Sequence, residues 1–124
     1  MEELLEKAQK DILAAAISGP DGVIWYTTPG LVTDDAEIRT IVNAFTKESD
    51  AVYSGFKFQG KKFALTSLSQ EALVAETNSS ILAVMRSEDF IVFTFEDERK
   101  LREKCIEVCK HIFNEILENK LYLE

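Results

Sequence analysis

Histidine, cysteine and long apolar runs are all scarce in this chain of 124 residues, and each scarcity narrows what it can be. The one histidine, His111, lies two residues from Cys109. That spacing is about 200° around a helix, so the two cannot share a metal or form a thiolate–imidazole couple there. The two cysteines, Cys105 and Cys109, fall four apart in a helical pattern and read as small buried apolar residues of a reducing compartment. No P-loop, GxGxxG run or nucleophile elbow occurs, and the acids fall singly along helices instead of gathering as a metal cage. The chain therefore does not read as an enzyme, and no catalytic residue, metal or cofactor is expected. No apolar run approaches the roughly 18–20 residues that span a bilayer. The opening MEELLEKAQKD has neither the basic start nor the apolar core of a signal peptide, so a cytosolic chain is expected. Basic residues are also few. Fourteen Lys and Arg against 22 Asp and Glu leave a formal charge of -8, a field that repels phosphates and argues against nucleic acid as a partner.

What is present is the make-up of a globular protein: 46% hydrophobic and 29% charged residues, without repeats, linkers or low-complexity tracts, and a length suited to one domain over 1–124. Leu4, Leu5, Ala8 and Ile12 make an apolar stripe that predicts a surface helix over residues 2–14. AAAIS, the turn signal PDG and the strand-like VIWYTT follow. Pro29-Gly30 breaks that strand, and Thr33 or Asp34 caps a second helix, 33–46, carrying Ile38, Ile41, Val42 and Phe45 at helical spacing. From 51 to 96 the period shifts towards 2. AVYSGFKF, KKFALTSL, ALVAETN, SILAVMR and DFIVFTFE are strand-length segments joined by short connections, as in antiparallel hairpins. DFIVFTFE is apolar on both sides, which predicts a central strand covered on both faces. A last helix over 97–119, starting at Asp97 or Glu98, has a seam of Leu101, Cys105, Val108, Ile112 and Ile116. Ile106, Phe113 and Leu117 widen that seam beyond what one sheet face needs, so Ile106 is expected on a partly exposed rim. The order α-β-β-α-β-β-β-β-β-α is that of an α+β fold with helices packed on an antiparallel sheet.

The most unusual segment is SGFKFQGKKF (54–63), which gathers three lysines and three phenylalanines around two glycines in an acidic chain. Such a strand can stack RNA bases, or it can be a hairpin with its phenylalanines in a core. The basic residue and second glycine of an RNA-recognition strand are missing. Strand alternation puts Phe56 and Phe58 on one side with Lys57 on the other, and sets Phe63 opposite to Lys62. Phenylalanines inside and lysines outside is the simpler assignment. The lysines then either meet an acidic partner or keep a strand edge soluble.

Taken in order, several segments resemble the profilins. These are AAISGPDGVIWYTTPG after an amphipathic helix, the capped helix TDDAEIRTIVNAF, the glycine hairpin SGFKFQGKKF, ILAVMRSEDFIVFTFED, and CIEVCKHIFNEIL. The likeness covers nearly the whole chain and is specific through the order and spacing of its motifs. It implies a central antiparallel sheet of about seven strands, with the N- and C-terminal helices on one face and helix 33–46 on the other. It also implies a cytoplasmic, cytoskeletal protein that binds monomeric actin without catalysis, suppresses nucleation and pointed-end growth, and is itself a monomer. Matching positions nominate Val52, Tyr53, Lys62, Ala64, Thr66 and Arg86 for actin, with Arg99, Arg102, Glu103, Lys104, Ile106 and Glu107 from the last helix. Helical spacing independently groups Arg99, Glu103, Ile106, Glu107 and Lys110 in one sector, an apolar residue ringed by charges.

The departures are also informative. Family members bind proline-rich peptides on aromatic residues, which here leave Trp25, Tyr26, His111 and Tyr122, because the N-terminal helix offers leucines in their place. Proline-rich binding is expected to be weak or absent. Glu103 stands where a basic residue is common, and the scant basic surface leaves phosphoinositide binding open. This pattern is more similar to the profilins of Asgard archaea than to typical eukaryotic ones. A roadblock- or longin-like scaffold, dimeric or holding a small GTPase, is the alternative of another class.

Overall fold

The computed structural model describes residues 1–29, 31, 34–45 and 55–123, with the side chain of Arg99 left out. Helix α1 (Glu2–Ala8) is followed by strands β1 (Ala14–Ser18) and β2 (Ile24–Thr27), helix α2 (Asp35–Ala44), five more strands and a last helix. The strands are β3 (Phe56–Phe58), β4 (Lys61–Leu68), β5 (Ala72–Glu76), β6 (Ile81–Arg86) and β7 (Ile91–Glu96), and the helix is α3 (Arg102–Asn119). The seven strands form one antiparallel sheet in the order β2-β1-β7-β6-β5-β4-β3.

Both faces of the sheet are apolar and each carries its own core. Ile38, Ile41 and Ala44 of α2 pack with Ala14, Ala16, Leu82, Val84, Phe93 and Phe95 on one face. Leu5 and Ala8 of α1 pack with Cys105, Val108, Ile112 and Ile116 of α3 against Ala15, Ile17, Ile81, Ala83 and Val92 on the other. Strands β1, β6 and β7 therefore have no polar side, as expected of strands covered on both faces. The expected sides for the three helices hold.

Helix boundaries differ from the periodicity. α1 stops at Ala8 instead of running to 14, because the backbone must be extended by Ala14 to pair with β7. Ile12 stays buried through the turn that replaces the last helical turns. α2 is capped by Asp34, whose Oδ1 accepts from Glu37 N–H at 2.8 Å; Thr33 lies outside the described residues. α3 is preceded by a 3₁₀ turn, Arg99–Leu101, in place of a continuous helix from 97. Its first turn is held to β7 by Thr94 Oγ1, which donates to the Cys105 carbonyl at 3.1 Å.

The lysine-rich segment folds as its alternation predicts. Phe56, Phe58 and Phe63 are buried in the α2-side core, where Phe58 and Phe63 also meet Phe95 at 5.9 and 6.2 Å between ring centroids. Gln59 and Gly60 make the two-residue turn with φ of 52° and 77°, the pair of positive values that closes a tight hairpin. The Glu37 carboxylate accepts from both their N–H groups, at 2.8 and 3.2 Å, and so fastens the turn to the start of α2.

Candidate docking surface

Because Phe63 enters the α2-side core, its neighbours Lys62 and Ala64 project from the opposite side of β4, the face that carries α3. α3 lies over β6 and β7 and stops short of β4, so this outer corner of the sheet is open. Lys62, Ala64 and Thr66 line one shallow groove with Glu76 and Thr77 of the next strand and its turn. Thr66 sits at a bulge, its hydroxyl donating to the Val74 carbonyl at 3.3 Å.

Glu76 joins this strand surface to the helix. Its side chain is only 6% exposed, and Arg102 Nε approaches Glu76 Oε1 at 3.3 Å. Arg102 also reaches Glu103 at 2.9 Å, so one guanidinium spans a buried and an exposed carboxylate at the start of α3. Ile106 follows one turn later, half-buried and packed against the α3-side core as a rim residue. Lys62, Ala64, Thr66, Glu76, Arg102, Glu103 and Ile106 thus share one face. Neither Glu76 nor its bridge was foreseen; a polar residue in phase with buried Val74 was the available signal.

Other candidates lie elsewhere. Lys104 is on the flank of α3 turned to α1, where its Nζ lies 3.8 Å from Asp11. Glu107 lines the cleft between the same two helices, together with His111. The helix sector grouped by spacing is therefore divided between two flanks. Arg99 belongs to the 3₁₀ turn, and Val52 and Tyr53 lie outside the described residues. Arg86 is a correction. It shares a side of β6 with Leu82 and Val84, its guanidinium sits 4.6 Å from the Phe45 ring centroid, and its Nε donates to the Gln70 carbonyl at 2.7 Å. It ends β6 at the edge of the α2 layer, roughly 20 Å along the strand direction from Lys62. Both faces of β6 are covered, so apolar alternation carried no sign of which side Arg86 takes.

Of the four aromatic or imidazole candidates, Trp25 and Tyr26 line one groove beside α1 and His111 lines the cleft between α1 and α3. Trp25, 39% exposed, sits at a bulge in β2 beside Leu5 and Glu6 of α1 and the Gln9 that follows the helix. Tyr26 and His111 border Leu4 and Lys7 from different sides, and Tyr122 is stacked on Phe90 at 5.6 Å. Burial pushes the Cys105 thiol up to about 11 and Cys109 up to about 12, against a smaller opposing effect of the Thr94 hydroxyl. Among the described residues no group of three metal-ligating side chains occurs, and no helix is long and apolar enough to cross a membrane.

A family model described as Profilin matches residues 2–122. A profilin from Branchiostoma belcheri is 24% identical over 114 residues, covering 92% of this chain and 90% of that protein. Among solved structures, profilin II of Acanthamoeba castellanii superposes with a TM-score of 0.86 at 16% identity, covering 96% of this chain and 98% of that one. LokiProfilin2, solved in a complex with rabbit actin, superposes with a TM-score of 0.62 at 18% identity, covering 90% of this chain and 91% of that one.

Proposed function

The chain belongs to the profilin family, whose members are non-enzymatic actin-binding proteins, and from that premise we propose that it binds monomeric actin. The observation that carries the reading is the continuity of the β4–β5 surface with the near flank of α3, clasped by Glu76 and Arg102. Lys62, Ala64, Thr66, Arg102, Glu103 and Ile106 make the contact, an apolar centre with a charged rim. A patch of ordinary size, about 800 Å² per partner, is enough for a specific complex. Lys104 and Glu107 stand at the margin of that patch, and Arg86, on the α2 side of the sheet, lies outside it.

Bound there, the chain holds actin as a monomer, suppressing nucleation and pointed-end growth in the cytoplasm. Proline-rich peptides bind weakly or not at all, because α1 gives Leu4 and Leu5 to the position an aromatic strip would need. The roadblock- or longin-like reading gives way to a family match over nearly the whole chain and a seven-stranded sheet. The test is the assembly of fluorescently labelled actin. Wild-type protein slows it in proportion to concentration, and Ile106→Asp loses most of that effect while keeping its fold by circular dichroism. Equal inhibition by the two proteins sinks the assigned face.

A further inference from the structure

Strand register sets Lys57 directly opposite Lys62. The flanking residues Phe56, Phe58 and Phe63 all turn into the α2-side core, so both ammonium groups leave by the outer side of the sheet. Residues opposed in this way have Cβ atoms about 5 Å apart, and like charges so placed repel. Neither lysine makes an ion pair with another described residue. Lys61, Lys100, Arg102 and Lys104 all do, with Asp97, Glu98, Glu76 and Asp11 respectively. The nearest buried acid on this face, Glu76, is committed to Arg102. In a chain with 22 acids and 14 bases, two facing lysines without a carboxylate are a local frustration.

We propose that Lys57 and Lys62 form a two-pronged anion clamp that receives a carboxylate side chain of the docked protein, so that Lys57 decides which actin surfaces are accepted. This rests on the docking face described under the proposed function and extends it by one strand, to β3. In the free protein the two charges repel. In the complex one Asp or Glu lies between them, and the repulsion becomes two charge-assisted hydrogen bonds. The free fold is therefore less stable than its sequence allows, and that loss is recovered on binding.

The experiment measures urea denaturation of the full chain and its affinity for monomeric actin at low and moderate salt, for wild type, Lys57→Thr, Lys57→Glu and Lys62→Thr. Lys57→Glu, which turns the repulsion into an attraction, raises the denaturation midpoint yet weakens actin binding about tenfold, an effect that shrinks as salt rises. Lys57→Thr shifts both readings the same way by less, and Lys62→Thr resembles it. Unchanged affinity of Lys57→Glu for an actin that wild type binds overturns the clamp and leaves the docking face standing, as does a lowered midpoint. Lost binding to phosphoinositide vesicles with actin affinity intact overturns it in favour of a lipid headgroup. Failure of wild type to bind actin overturns the function on which the clamp rests, and the clamp with it.

Discussion

Replacing Arg102 by methionine keeps the aliphatic stem on α3 and removes the guanidinium from Glu76. At 3.3 Å the attraction is about 5 kcal/mol with an effective dielectric of 20, and most of it is offset by desolvation of the two groups. Loss of one partner from a fully buried pair costs about 3–5 kcal/mol. Arg102 is 36% exposed, so water already screens its side of the pair and the expected loss falls to roughly 1–3 kcal/mol. Against a total of roughly 6–19 kcal/mol for a chain of this length, that is a large fraction. It corresponds to a fall of roughly 3–12 °C in Tm. Glu76→Gln combined with Arg102→Met removes both charges and recovers most of the loss, giving a coupling energy of about 1 kcal/mol or more in a double-mutant cycle. Urea unfolding of the four proteins at neutral pH measures it. A loss for Arg102→Met below about 0.5 kcal/mol, or additive single changes, would refute the clasp.

The buried thiols make stability fall at alkaline pH. Below the ordinary thiol range both states are protonated; above it the unfolded chain releases protons that the folded chain keeps until about 11 and 12, so stability drops as pH rises from about 9. By pH 10 the loss is roughly 1 kcal/mol per thiol, and Cys109→Ala removes one share of the difference between urea midpoints at pH 8 and pH 10. A variant whose midpoint falls as much as wild type contradicts this. Gly55→Ala and Gly60→Ala separate strain from collision. Both glycines have positive φ, but a Cβ at Gly55 would meet the Phe63 carbonyl oxygen at 2.3 Å, whereas nothing lies within 4 Å at Gly60. The expected costs are roughly 2–4 and about 1 kcal/mol in thermal or urea unfolding, and equal losses contradict the geometry.

The order of elements and the inward phenylalanines were legible because helical and strand periods are properties of the chain alone. Where a helix ends was less so. Ile12 continues the apolar stripe of α1, yet it reaches the core from a turn, because the neighbouring Ala14 already belongs to the sheet. The strand half of the docking face could be read, since Lys62, Ala64 and buried Phe63 alternate. Its helix half could not. Arg102 and Lys104 are two residues apart, and only the position of α1 decides which of them faces Glu76 and which Asp11. The side taken by Arg86 escapes the sequence for a related reason: on a strand covered twice, the pattern of burial has no sidedness to report.

The grip of Glu37 on the β3–β4 turn has a bearing on affinity. A two-residue hairpin at the end of a sheet would ordinarily sample several shapes, and any ligand would have to freeze them, at about 1 kcal/mol or more per residue ordered. With the Gln59 and Gly60 amides anchored to a helix on the far layer, that entropy is given up once, when the chain folds. A protein docked on the proposed face would meet a stiff lever at Lys62, and a substitution at Glu37, on the other layer of the fold, should register as faster dissociation.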